Sequence, residues 1–138
     1  MIVGQPVFLG AHVYDGLWQG GVKKVEASML QGESFLLSAG VGSISGVRAT
    51  ALQGGVCIAS ERNFENHHAY LYDDIRNLLD VVFQNNLYGV VVTAKDWVKI
   101  EPLITLDQCE KFFVMRVRFE FLSDREYADF SAIVHRAL

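Results

Sequence analysis

The three consecutive valines Val90–Val92 constrain the fold of this chain more than any other segment. They lie in the stretch "YGVVVTAKDWVKI" and leave no polar position on either face of a strand. A β-branched run of this kind is typical of a parallel strand that is buried on both faces, and we expect a charged turn after it. Because such a strand needs helices on both sides of its sheet, the run favours an α/β fold.

Neighbouring segments predict further strands and helices. "SFLLSAGVGS" predicts a continuous apolar strand, and "ISGVRATALQGG" predicts a weak helix that two glycines end. "VCIASERNF" predicts a second buried strand. The apolar residues from Leu71 to Phe83 follow helical spacing, so this segment is the clearest predicted helix in the chain.

The C-terminal part predicts one more strand and one more helix. Apolar residues alternate with other residues from Phe113 to Phe121, so we expect an edge strand with one solvated face. "SDREYADFSAIVHRAL" predicts the last helix, with Ser123 and Asp124 as candidate caps.

The N-terminal segment predicts a β-hairpin. "PVFLGAHVY" and "VKKVEA" are separated by "DG" and "QGG", with Lys23 and Lys24 on a solvated edge. We therefore predict one α/β domain over residues 1–138, with a hairpin segment at 1–31 and a sandwich at 32–138. The sandwich is a mostly parallel sheet flanked by helices, similar to a Rossmann fold.

Charge and composition exclude several classes of function. The net charge is −4 and the pI is near 5.5, so we expect no binding to nucleic acid. Cys57 and Cys109 lie far apart, and we interpret them as reduced packing residues. No apolar run is long enough to span a bilayer, and we expect a cytoplasmic protein.

A glycine turn follows the first predicted strand of the sandwich. Gly40, Gly42 and Ser43 could let backbone N–H groups approach an anion at the next helix. The dinucleotide fingerprint is incomplete, and the sequence contains no GxxxxGK[ST] motif. A plain tight turn between strand and helix is the alternative.

Two adjacent histidines, His67 and His68, precede the clearest helix. Open α/β sheets bind ligands beyond the carboxyl ends of their strands, and these histidines occupy such a place. Because adjacent residues cannot project the same way, one histidine could face a cleft as a proton carrier or phosphate donor while the other is held by backbone hydrogen bonds. Alternatively, both are turn and cap residues that pack against Tyr70 and Tyr72.

Two further sets of residues are candidate sites. His67, His68, Asp73 and Asp74 do not have the converging spacing of a metal site, so we expect no metal. In "TAKD", which spans Thr93–Asp96, Lys95 and Asp96 could bind a phosphate or form an ion pair that caps the turn.

These segments together resemble a known family. "FENHHAY" followed by "DDI" resembles the F-x-D-H-H-x-Y…D-[LI] signature of tetraacyldisaccharide 4'-kinase, the kinase of the lipid A pathway. "VVVTAKDWVKI", "LLSAGVGS" and "PVFLGAHVYDGL" resemble three other segments of that family, in the same order. The resemblance covers its C-terminal domain. The P-loop, the magnesium-binding acids and the presumed aspartate base belong to its N-terminal domain, so this chain alone is not expected to be a kinase.

The resemblance implies roles for individual residues. His67 corresponds to a histidine that faces the inter-domain cleft and assists the catalytic aspartate of the other domain. Asn66 replaces an aspartate and Ala94 replaces a glutamate, whereas Thr93 is retained. The predicted ligand-binding set comprises Gly40, Gly42, Ser43, Asn66, His67, His68, Thr93, Lys95 and Asp96.

Three functional hypotheses follow from the residues and the resemblance. The first is a catalytically incomplete module that binds a phosphorylated sugar, a nucleotide or a protein partner. The second is half of a split kinase, which would need ATP, magnesium and a P-loop domain in trans; its lipid substrate implies a peripheral place at the inner membrane. The third is a structural or oligomerising module, in which the solvated strand of residues 112–122 and the exposed hairpin form a homodimer.

Overall fold

The computed structural model describes residues 10–40 and 44–121. They form six strands and four α-helices, together with two 3₁₀ turns at Ala27–Leu30 and Glu101–Leu103. The strands are β1 (Gly10–Gln19), β2 (Lys23–Lys24), β3 (Ser34–Ala39), β4 (Cys57–Asn63), β5 (Gly89–Thr93) and β6 (Phe112–Phe121). The helices are α1 (Ile44–Gln53), α2 (Tyr72–Gln84), α3 (Ala94–Ile100) and α4 (Leu106–Cys109).

The chain divides into two compact units, and the larger, Tyr14–Arg116, contains the described part of the candidate site. In the smaller unit the structure describes residues 10–13 and 117–121. There the rings of His12 and Phe119 meet edge to face with their centroids 5.6 Å apart.

All six strands belong to one mixed sheet with the order β2-β1-β6-β5-β3-β4. β3 pairs in parallel with both β4 and β5, and β5 pairs in parallel with β6, whereas β1 and β2 are antiparallel. Val90–Val92 are each 0% exposed, so the strand that is buried on both faces is confirmed. The predicted α/β fold with an N-terminal hairpin is confirmed as well.

Two apolar layers cover the central strands, one on each face. On the first face, α2 packs against the sheet through Ile75, Leu78, Leu79 and Val82. On the second face, Ala51 of α1 packs among Phe35, Leu37 and Val91. Side chains that alternate along β3 and β5 therefore enter opposite layers, which explains why these strands show no polar alternation.

Two strands differ from prediction in their place in the sheet. β6 is an interior strand between β1 and β5, and its first four residues, 112–115, are buried. Residues 116–119 are all exposed and show no alternation, so the predicted edge strand with one solvated face was wrong. β4, predicted to be buried, is the edge strand, and its residues are mostly exposed. A short apolar run does not show whether a second neighbour covers the strand.

Two turns also differ from prediction. The charged turn expected after β5 is helix α3, because the Thr93 side chain accepts a hydrogen bond from Asp96 N–H and caps the helix. In the hairpin, "DG" does not end the first strand, since β1 runs through Gly16, which adopts a φ of 125°. The hairpin turns at Gly20–Val22 instead. The predicted helix beyond Ser123 lies outside the described residues.

Replacement of Gly89 by alanine tests the tight packing at the start of β5. A Cβ there would lie 2.6 Å from the backbone oxygen of Lys111 and 2.4 Å from the Phe113 ring. Because a backbone oxygen cannot move aside, we expect Gly89→Ala to lower the free energy of unfolding by about 2 kcal/mol in urea denaturation.

Gly46→Ala is the matched control, since Gly46 lies in α1 with nothing within 4 Å of an added Cβ. It should raise the free energy of unfolding by about 0.5–1 kcal/mol through helix propensity. Equal effects of the two substitutions would contradict the packing described for β5.

Candidate functional site

Three loops meet where the parallel strands β3, β4 and β5 end. Gly40 follows β3, the segment 64–68 follows β4, and Asp96 lies in the first turn of α3 after β5. A Cβ added at Gly40 would lie 3.3 Å from the Glu65 carbonyl oxygen and 3.4 Å from Asp96 Oδ1. The sequence-predicted residues Gly40, His68 and Asp96 are therefore brought together.

Gly40 N–H is already engaged at this meeting point. It donates a hydrogen bond of 2.8 Å to Asp96 Oδ2, and Asp96 is only 1% exposed. The carboxylate thus holds the end of β3, and this N–H is not available to an anion. Gly42 and Ser43, the other members of the predicted glycine turn, lie outside the described residues, so their role stays a prediction.

Three buried oxygen atoms lie beneath the loops. Ser38 Oγ, Tyr70 OH and Asp96 Oδ1 make no hydrogen bond to the residues that the structure describes. Burial is the main cause that raises the pKa of Tyr70 above its ordinary value, and the Asp96 charge adds to it. Tyr70 therefore stays protonated at neutral pH and cannot act there as a base.

Thr93 and Lys95 have different surroundings. Thr93 Oγ1 accepts a hydrogen bond of 3.2 Å from Asp96 N–H and so acts as a helix cap. Lys95 is exposed, and in the described part of the chain it forms no ion pair, so a cap made by a Lys95–Asp96 pair is not found. The Lys95 ammonium group is therefore exposed to solvent, although the next residue, Asp96, is buried.

His68 is an anchored residue. Its Nε2 lies 2.9 Å from Asp74 Oδ2, its ring stacks on Phe64 at 4.4 Å, and the Tyr70 ring meets it edge-on at 5.0 Å. Its carbonyl oxygen accepts a hydrogen bond of 3.2 Å from Lys99 Nζ. The expectation that one histidine is held by hydrogen bonds fits His68, although the partner of its ring is a carboxylate.

His67 is exposed and has a φ of 63°, in the left-handed region that few residues other than glycine adopt. Neither its ring nor the exposed Asn66 beside it makes a hydrogen bond or ion pair to any residue of the ranges 10–40 and 44–121. The turn closed by His68 N–H and the Glu65 carbonyl oxygen, at 3.0 Å, presents His67 outward. Its predicted role in ligand binding stays a prediction.

Asp74 joins the histidine loop to helix α2. Its Oδ2 also accepts a hydrogen bond of 2.9 Å from Leu71 N–H, which caps the helix. Burial acts to raise the pKa of Asp74, but the hydrogen bonds from His68 and Leu71 outweigh it and bring that pKa below its ordinary value. An acid at the third helical position is a common capping pattern, so the cap at Asp74 has a local signal, whereas its contact with His68 has none.

A cleft that the sequence did not predict lies beside this loop. It has a volume of about 440 Å³ and is bounded by β4 and α2, with Phe64 and Asp74 among its lining residues. Both of these residues also contact His68. Ser60, Arg62 and Phe64 are two residues apart in the sequence, and Phe64 belongs to the core. The two polar residues at this spacing were the signal that part of this strand face is open to solvent.

The described residues contain no group of three or more His, Cys, Asp or Glu side chains placed to hold a metal ion. They also contain no helix that is long and apolar enough to cross a membrane.

The sheet and the loops beyond its parallel strands define an α/β sandwich of the kind that places ligands past the carboxyl ends of its strands. The family model for tetraacyldisaccharide-1-P 4'-kinase matches residues 5–137, so the chain belongs to this family. The resemblance seen in the sequence is confirmed.

Individual relatives show how much of the family's length the chain covers. The tetraacyldisaccharide 4'-kinase of Brucella anthropi is 31% identical over 88 residues, which are 64% of this chain and 26% of that protein. That of Rhizobium meliloti is 30% identical over 99 residues, which are 72% of this chain and 25% of that protein. The chain spans about a quarter of the length of these relatives.

A solved structure confirms the fold. The crystal structure of LpxK from Aquifex aeolicus in complex with ATP matches with a TM-score of 0.53 and covers 92% of this chain and 35% of that one. At 13% identity, this likeness establishes the architecture alone.

Asp74→Asn tests the anchor of the histidine loop. A lowered folded-state pKa means that Asp74 adds stability above its ordinary pKa of 3.8, and that this stability is lost as the pH falls through the lower folded-state pKa. We expect urea denaturation to show a loss of about 1 kcal/mol at neutral pH, shrinking below pH 3.8.

Asp73→Asn is the control for this measurement. The Asp73 side chain is 79% exposed and lies 3.4 Å from Arg76, so its removal should change stability by less than about 0.5 kcal/mol. A loss in Asp74→Asn that did not depend on pH would contradict the charged anchor.

Proposed function

We propose that this chain is the part of a tetraacyldisaccharide 4'-kinase site that binds a phosphorylated ligand, a phosphorylated sugar or a nucleotide, through the loop that presents His67. The observation that carries the proposal is the unequal pair of histidines. His68 has its ring stacked and paired with Asp74, whereas the ring of His67 is exposed and makes no contact with a polar group of the described chain. A site that transfers protons needs a histidine whose ring is free to contact the ligand. A neighbouring histidine with fixed contacts keeps the loop, and so the free ring, in position.

The electrostatics favour His67 and Lys95 over Gly40 as the anion-binding groups. Gly40 N–H is engaged by the Asp96 carboxylate, whose charge would repel a phosphate at that turn. His67 and Lys95 each neighbour a residue that lies against Gly40, namely His68 and Asp96. An imidazole and an ammonium group can both donate hydrogen bonds to phosphate oxygens.

Phosphoryl transfer would require groups from another domain. The printed sequence has no GxxxxGK[ST] motif, and a phosphate cradle with magnesium performs most of the positioning in such reactions. In the proposal, ATP and magnesium bind to a P-loop domain, supplied by a longer polypeptide or in trans, and His67 faces that domain. The chain spans about a quarter of the length of the relatives it matches, so such a protein has room for the domain that would supply these groups.

The proposal includes a cytoplasmic location, with the protein peripheral to the inner membrane when it acts on a lipid. The unpaired thiols of Cys57 and Cys109 support a reducing compartment. Strand pairing through residues 112–122 loses its basis as a dimer contact, because β6 has neighbours on both sides within the sheet, whereas a homodimer through the hairpin stays a prediction.

The test is an NMR titration that follows the ring nitrogens of the histidines. We expect a soluble phosphorylated glucosamine disaccharide to shift the His67 ring signals, with little change in the ring signals of His12. His67→Asn should remove the response and leave the melting temperature nearly unchanged, because asparagine tolerates a positive φ.

His68→Asn is the matched variant on the neighbouring residue. It should lower the melting temperature, since it removes the stack on Phe64 and the pairing with Asp74. Unmoved His67 signals at about millimolar ligand, which corresponds to roughly 4 kcal/mol of binding free energy, would refute the proposal.

A further inference from the structure

The cleft beside the histidine loop combines an apolar floor with a polar rim. Leu36, Leu78 and Val81 contribute apolar lining from β3 and α2, and Ser60 and Arg62 contribute polar lining from β4. Its volume of about 440 Å³ is in the range of small-molecule sites. Neither the family resemblance nor the proposed phosphate site accounts for this cleft.

An irregularity in the β3–β4 pairing explains how the cleft forms. Phe35 pairs with Ile58, but Leu36 pairs with Ser60, so β4 holds one extra residue at this point. Ile58 packs in the α1 layer, whereas Ser60 lies opposite Leu36, a residue of the α2 layer. Because β4 is the edge strand and turns polar residues toward the α2 layer, the apolar floor is left open to solvent.

The acids around the cleft already have partners. Glu61 accepts hydrogen bonds from Arg48, one of them 2.6 Å long from Nη2, and the pKa of Glu61 is lowered chiefly by this bonding. Asp74 Oδ2 is shared by His68 and Leu71 N–H. Two carboxylates of the lining are therefore compensated from within the protein.

The side-chain donors around the cleft are available. The side chains of Ser60, Arg62 and Asn77 make no hydrogen bond or ion pair to the described residues, although the Arg62 charge helps to lower the pKa of Asp74. The guanidinium of Arg62 lies over the Phe64 ring, 4.8 Å from its centroid. A guanidinium on an aromatic face keeps its N–H groups free at the edge. The rim therefore offers hydrogen-bond donors to a ligand, and one of these donors, Arg62, is a cation.

We propose that this cleft binds a small amphipathic anion, with its apolar body on Leu36, Leu78 and Val81 and its oxygen-bearing head on Arg62 and Asn77. The head accepts hydrogen bonds from the guanidinium, the strongest free donor of the rim. The contact is non-covalent and does not depend on the proposed phosphate site at His67.

Octanoate is the probe, because it joins a carboxylate to an apolar chain of suitable size. Titration into the labelled chain, followed by two-dimensional amide and side-chain NMR, should give saturable shifts at Arg62, Asn77 and Val81 below about 10 mM. Octanamide has the same shape without the charge and should bind about tenfold more weakly, since hydrogen bonds to charged groups are the stronger ones.

Two arginine variants make the test specific. Arg62→Gln should weaken octanoate binding about tenfold and leave octanamide binding nearly unchanged. Arg76→Gln removes the same charge from α2 outside the lining, where Arg76 pairs with Asp73 at 3.4 Å, and should bind octanoate as the parent chain does.

The outcomes that overturn the proposal are distinct from failure at His67. Absence of saturable shifts with octanoate, or equal binding of octanoate and octanamide that Arg62→Gln does not alter, refutes the head-group contact. His67→Asn should retain octanoate binding; if it loses that binding while remaining folded, the cleft is not an independent site.

Discussion

The parallel pairing of β3 with both β4 and β5 is the constraint on which the candidate site depends. Ala39 stands opposite Asn63, so the first two of these strands end at the same level. Parallel strands carry their following loops at one edge of a sheet, and here that edge gathers Gly40, the histidine loop and the start of α3. Gly89 helps to set the register of β5, because a shift would bring a side chain to the place where a Cβ lies 2.6 Å from the Lys111 backbone oxygen.

Two carboxylates then fix the loops that the sheet brings together. Asp96 is buried and holds Gly40 N–H, while Asp74 is partly exposed and holds both His68 and the start of α2. Breaking the bond to Gly40 would leave the Asp96 charge buried and unpaired, so Asp96 contributes more to local order than a surface ion pair does. His67 differs because hydrogen bonds hold the loop that carries it, whereas its own ring makes none to the described residues. A residue that faces a ligand requires this arrangement.

Much of the fold could be predicted because local patterns decide it. The apolar spacing from Leu71 predicted α2 almost to the residue, and Val90–Val92 predicted the central strand. The place of β4 and β6 could not be predicted, because an apolar run does not reveal which neighbour lies beyond it. The short helix α3 was missed since its four-residue opening "TAKD" is equally typical of a turn, and only the Thr93 cap decides between them.

The sequence indicates candidate residues for the site but not how these residues are arranged. The adjacent histidines could be expected to diverge, but the identity of the anchored one depends on Asp74, six residues further along the chain. The cleft depends on the extra residue in β4 and on its place at the sheet edge, both of which are properties of strand pairing. Long-range pairing of this kind leaves no local signal in the sequence.

The two histidine rings differ in their contacts. His68 is held by a hydrogen bond with Asp74, whereas the ring of His67 is exposed. Brief carbethoxylation with diethyl pyrocarbonate, read out by fragment mass spectrometry, measures the reactivity of each ring in the folded chain, with the exposed His12 as an internal reference. The account predicts that His67 reacts about as fast as His12 and that His68 reacts at least about tenfold more slowly, because its ring must first leave the Asp74 hydrogen bond. Equal rates at His67 and His68, or faster reaction at His68, would contradict it.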